Sequence, residues 1–175
     1  METNKAAVLL EQFNKTIDIW INHLNDYTLD MLRRKPGENS WSLGQVYLHI
    51  IEDTAWFVEQ MHTCLLLSNA NSEKEMHEDA KAIFANNAFP DALMENPSND
   101  PDSRQPKDKE ELLQGLTDIK EEVNALYSVD HPQADGKTEH PGLHFFNLLE
   151  WLQFAEMHMR HHLRQKQRID EKLFR

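Results

Sequence analysis

The chain has 175 residues and 39% hydrophobic side chains, with four Trp and eight Phe, enough for one domain with a real core. A formal charge of −12 excludes a phosphate-backbone partner, which needs a basic patch, so nucleic-acid binding is not expected. A single cysteine, Cys64, excludes an internal disulfide, no stretch is apolar enough to cross a bilayer, and Met1 to Lys5 opens no signal peptide. Residues 1–175 are therefore read as one cytoplasmic domain, with no membrane and no nucleic-acid partner.

The first predicted element is an amphipathic helix from about Asn4 to Arg34. Leu10, Phe13, Ile17, Trp20, Leu24, Tyr27 and Met31 recur at spacings of three and four. Pro36-Gly37 stops it, and Arg33-Arg34-Lys35 sit where cations suit the end of the helix dipole. The second helix starts at the capping box Ser42-Leu-Gly-Gln45, with Trp41 placed to act as a hydrophobic staple. Its apolar stripe is Val46, Ile50, Phe57, Met61 and Leu65, shared by Thr54, and it ends near Leu67.

Residues 68–107 are the least regular. A short helix is expected over Glu73–Phe84, and Pro90 to Pro106, with four prolines, is loop. A connection this long permits a crossover, so that the next helix runs parallel to its predecessor. The third helix opens at a second capping box, Asp108-Lys-Glu-Glu111, and shows Leu112, Leu116, Ile119, Val123 and Leu126 on one face. After a turn-rich connection from His131 to His140, a fourth helix is expected over Gly142–Phe174, with Pro141 in its first turn. Four helices, no credible strand and no repeat predict an all-α four-helix bundle with a long crossover between helices 2 and 3.

Of the ten histidines, His158 and His162 stand four apart. On a helix their rings share one face, one turn apart, and could offer two nitrogens to one metal ion. The same face carries Phe154 and Trp151 before the pair and Gln165 and Ile169 after it, so it is largely inward. Two neutral imidazoles there need partners for their nitrogens. Such a pair also arises by chance in a His-rich chain, and the Glu of a zinc-protease motif is missing, because Met159 follows His158. His49, between Val46 and Ile50, is by itself a boundary histidine; facing the pair, it would complete a three-His site with an open position, the pattern of a catalytic metal. Asp53, one turn after His49, is either a carboxylate that orients that imidazole or a solvated helix residue. Cys64 lies about 22 Å along the helix axis from His49, too far to ligate. His23, His62, His77, His131, His140 and His144 have no partner spacing and are read as surface or capping residues.

Two segments carry a family resemblance. Trp41-Ser-Leu-Gly-Gln-Val-Tyr-Leu-His49 is similar to a W-S-x-x-E-x-x-x-H helix opening. His140-Pro-Gly-Leu-His-Phe-Phe-Asn-Leu-Leu-Glu-Trp-Leu, running into His158-Met-Arg-His-His162-Leu-Arg-Gln165, is similar to a last helix ending H-x-x-H-H-x-x-Q. Together they resemble the DinB superfamily of bundle metalloproteins over nearly the whole chain. The resemblance implies that His49, His158 and His162 bind a divalent metal, zinc or nickel among others, with water completing the shell. Gln45 stands where Glu is common, and His161 matches a histidine that is not a ligand; both are expected beside the ligands in supporting roles.

Characterised members of that family often transfer a low-molecular-weight thiol, such as bacillithiol, mycothiol or glutathione, onto an electrophile. The expected activity is therefore a metal-dependent thiol transferase acting on a small-molecule substrate, the nucleophile being a metal-bound thiol or water. A hydrolase using metal-bound hydroxide, or a non-catalytic stress-associated protein with a structural metal, fits the same residues. The wealth of Trp and Phe also makes a homodimer an expectation.

Overall fold

The computed structural model describes residues 2–91, 100–129 and 135–174. His131 and part of the Pro90–Pro106 loop lie outside them. Among the described residues, helix dominates and one small sheet accompanies it.

Helix α1 spans Glu2–His23, and a 3-10 turn at Leu24–Asp26 separates it from the short α2, Leu29–Arg33. The single helix expected to Arg34 is thus broken. Thr28, extended at φ −81° and ψ 164°, caps α2 by accepting from the Met31 amide. Leu24 and Tyr27 stay buried across the break, which is why their spacing reads as continuous helix. Helix α3, Leu43–Leu66, begins at the full capping box between Ser42 and Gln45.

Helix α4 covers Glu78–Asn86, later than expected, because His77 is its N-cap and accepts from the Asp79 amide. Met76 is drawn into a β-bridge with His144 instead. Helix α5, Lys109–Tyr127, buries all five residues of its expected face. Its cap is shared: Asp108 accepts from the Glu111 amide, while the Glu111 carboxylate accepts from the Lys107 amide rather than from Asp108.

The largest departure lies before the last helix. Lys137–His140 (β1) and His144–Asn147 (β2) pair antiparallel, with Thr138 opposite Phe146. Gly142 in the connecting turn has φ +89°, and His144 has φ +65°. Pro141 therefore sits in a hairpin turn and not in a helix. Helix α6, Leu148–Leu173, starts at a capping box of Asn147 and Glu150.

The core lies between the long helices: α3 packs on α5 and α6, and α1 packs on the same two. Phe13, Ile17, Trp20, Ile50, Met61, Leu116 and Trp151 are fully buried there. Gly115 lets α5 approach closely, since a Cβ on it would stand 2.8 Å from the Ile51 side chain. Arg33 and Lys35, expected as helix-end cations, donate to the Pro106, Lys107 and Pro101 carbonyls and hold the chain before α5 against the start of α3. No described helix is long and apolar enough to cross a membrane.

Candidate metal centre

His49 stands two turns into α3, behind the Ser42 cap, and His158 and His162 stand one turn apart on α6. The two helices bring the three rings together: His49 Nε2 is 3.1 Å from His162 Nε2, which is 3.1 Å from His158 Nε2. One nitrogen from each residue falls within 4.8 Å of the others. Two ligands at about 2.0–2.1 Å from one ion stand roughly 2.8–3.4 Å apart for bond angles near 90–110°. The two spacings to His162 fit that range, so these three residues could hold a metal ion.

The electrostatics agree. Burial lowers the His49 pKa to about 4, with the neighbouring His161 adding to the effect. Burial and then His49 lower that of His162 to about 3, against the opposing hydrogen bond that His162 donates to Gln165. His158 is held well below the usual imidazole value by burial and then by His162 and His49. All three rings are neutral at pH 7, the form that ligates a metal.

The hydrogen bonds sort the lone pairs. Gln165 Oε1, an acceptor, lies 2.7 Å from His162 Nδ1, so His162 donates from Nδ1 and turns a bare Nε2 inward. Asp53 Oδ1 stands 3.5 Å from His49 Nδ1, which favours the same tautomer there. With His49 and His162 both bare at Nε2, 3.1 Å apart, the two lone pairs repel, and a proton or a cation between them removes the repulsion. The buried Nδ1 of His158 has no hydrogen-bond partner among the described residues.

The cluster opens into a cleft of about 960 Å³. Trp41, Trp56, Phe57, Phe89 and Phe154 line it, and Asp53 is its one carboxylate among the described residues. The Trp41 ring lies 5.0 Å from that of His49, and its Nε1–H donates to the Asp100 carbonyl. Trp41 thus borders the site. Asp53 is part-exposed, and its second oxygen comes within 3.6 Å of His158 Nε2. Burial and then Glu52 raise its pKa to about 6.

The structure places the remaining expected residues differently. Gln45 is buried and turned away: its Oε1 accepts from the Ser42 amide, and its Nε2 donates to Pro101 and Ser103. It ties the 100–106 segment to the helix cap, and the expected place beside the imidazoles goes unfilled. His161 lines the cleft, packs on Phe89 and bonds Arg164. Cys64 is buried against Thr138 and the Phe146 carbonyl, away from the cluster.

His77 caps a helix and His62 pairs with Glu122 at the surface, as expected of both. His23 is half-buried instead, and so is His140, which lines the cleft. Gln165, at helical spacing from His162, was the readable signal for the ring's second contact. His140 and Trp41 reach the cleft through tertiary packing that no local spacing announces.

The comparisons with known proteins bear on these residues. No curated protein and no solved structure matches the chain. The family model of the DinB superfamily matches residues 12–165. That span runs from the first turns of α1 to Gln165 and includes all three clustered histidines, so the resemblance seen in the two segments holds along the fold: the chain belongs to the DinB superfamily.

Proposed function

We propose that this protein holds one divalent metal ion through His49, His158 and His162 and uses it to transfer a low-molecular-weight thiol onto an electrophile. The observation that carries the reading is the convergence of three neutral imidazoles, with His162 Nε2 3.1 Å from the Nε2 of both His49 and His158, at the wall of an aromatic cleft. Three imidazoles suit zinc or nickel. An ion so held would acidify a thiol or water at its open position and so supply a nucleophile at neutral pH.

The chain's own residues do the rest. Gln165 fixes the His162 ring, Asp53 borders the open side, and the aromatic walls keep water from the bound substrate. Hydrolysis, with water in place of the thiol, is the second reading. It is favoured by the Asp53 carboxylate 3.6 Å from His158 Nε2, a place from which it can accept a hydrogen bond from water.

The same proposal takes α1, α3, α5 and α6 as a four-helix bundle with a long crossover between α3 and α5. Contacts in register support it. Gly115 meets Ile51 and Glu122 meets His62, so α3 and α5 run in one direction, while Phe57 meets Phe154 and His49 meets His162, so α3 and α6 oppose. A cytoplasmic homodimer belongs to the same reading. Val8 and Ile19, both exposed and eleven residues apart on α1, lie on one face that a second copy would cover.

The test is conjugation of glutathione or bacillithiol to monobromobimane by protein purified without chelator. Activity should vanish on chelation and in His158→Ala. Conjugation that survives both would overturn the transferase reading. Turnover of an ester without thiol would move the function to hydrolysis. A lower melting temperature on chelation with no turnover would make the metal structural.

A further inference from the structure

Among the described residues, His140 is the one cleft-lining histidine outside the α3–α6 pair of helices, and the hairpin is what brings it there. Its ring sits in an aromatic box, with centroids 5.0 Å from Phe154, 5.6 Å from Phe146, 5.7 Å from Trp151 and 6.1 Å from Trp56. A box of that kind is served as well by Phe or Tyr. An imidazole in it costs stability unless its nitrogens are used. Its Nδ1 is buried, and no described residue gives it a hydrogen bond of good geometry.

Burial lowers its pKa more than the adjacent carbonyls of Pro141 and His140 raise it, so the ring is neutral at pH 7. No described residue bonds its other nitrogen. The neighbouring turn passes through left-handed backbone at Gly142 and His144. Among the described residues only the backbone of Pro141 and of His140 itself acts on this ring, and the Nε2 nitrogen is left to a ligand.

We propose that His140 is a substrate-contacting residue, and that the cleft takes an uncharged aromatic molecule carrying a hydroxyl or carbonyl group that hydrogen-bonds this imidazole. The inference rests on the reading of the cleft as a substrate site and does not depend on which reaction follows. The aromatic part of the ligand lies against Trp56 and Phe154. A neutral imidazole has one donor and one acceptor, and either polar group meets it without a charge to desolvate. Arg168 and Lys172 also line the cleft, so an anionic ligand is the competing class.

Equilibrium dialysis with naphthalene, 2-naphthol, 2-acetonaphthone and 2-naphthoate separates the classes. The wild type should bind 2-naphthol or 2-acetonaphthone at least about fivefold tighter than naphthalene, the gain from one buried hydrogen bond. His140→Phe should erase that preference while leaving naphthalene affinity and metal content unchanged and the melting temperature equal or higher. His140→Leu provides the same reading should the Phe variant misfold. A preference that persists in the folded variant, or tighter binding of 2-naphthoate than of the neutral probes by the wild type, overturns the proposal. A wild-type chain that holds no metal yet shows the His140-dependent preference sinks the metal reading alone. A metal-loaded chain without the preference sinks this inference alone.

Discussion

Glu156 and His158 stand two residues apart on α6 and face opposite seams. Toward α1, the buried Glu156 accepts from Thr16 and from Arg160 at 2.7–2.9 Å, Trp20 donates to the Met159 carbonyl, and Tyr27 and Lys166 both reach Asp170. Toward α3, His49, His158 and His162 crowd their Nε2 atoms together, and the His158 Nδ1 lacks a partner among the described residues. The first seam closes these polar groups on one another, as a folded interior must, with His23 Nδ1 its unpartnered exception among the described residues. The second leaves capacity for something the chain does not supply. The difference separates polar burial that holds a fold from polar burial that awaits a ligand.

His158→Ala should break the second seam most completely. Bound metal falls from one ion per chain to background by elemental analysis, while the circular dichroism spectrum stays helical. The matching change on the first seam, Glu156→Ala, strands Arg160 and Thr16. It should cost about 2 kcal/mol in urea unfolding, below the full value for a buried pair because the Arg160 side chain is 40% exposed. It should leave metal content intact, and a loss of metal there would erase the contrast.

Gln165→Ala frees the His162 ring without removing a ligand. It should weaken metal affinity roughly 10- to 100-fold, read by competition with a chromophoric chelator. Unchanged affinity would mean that Gln165 does not orient the ring.

The metal-free protein should also lose stability as the pH falls. The imidazoles of His49 and His162 have folded pKa values near 4 and 3, below the unfolded value. Between pH 6.5 and about 4 the unfolded chain therefore binds more protons than the folded one. The contribution is full above pH 6.5 and is lost on descending, so the melting temperature falls across that window. His162→Phe should flatten the slope.

Asp53→Asn is the smallest effect. The Asp53 pKa is raised to about 6, so its contribution is full at low pH and lost as the pH rises through 6. Neutralising this part-exposed side chain should raise the melting temperature of the metal-free protein at pH 7 by about 1–2 °C.

Much of this was legible because helices advertise themselves over many residues. The capping box at Ser42 and Gln45 and the five-residue face of α5 follow from local chemistry. So does the spacing of His158 and His162, whose meeting with His49 needed only two helices to pack. The hairpin was hidden because each strand has four residues, too few for an alternation to show, and its pairing is decided by contact with α3 and α6. The same brevity concealed His140. The break at Leu24–Asp26 was hidden for the opposite reason: Leu24 and Tyr27 keep their helical spacing on either side of it, and only Thr28, as a cap, marked the restart. Gln45 was misplaced because its position one turn before His49 says nothing of Ser103, 58 residues away, whose backbone claims its amide.

The central claim is a metal ion held by histidines from both helices. Elemental analysis of wild-type protein purified without chelator, beside His49→Ala prepared identically, tests it most directly. The prediction is one zinc or nickel ion per wild-type chain and background levels in the variant. A metal-free wild type, or equal metal in both, would contradict it.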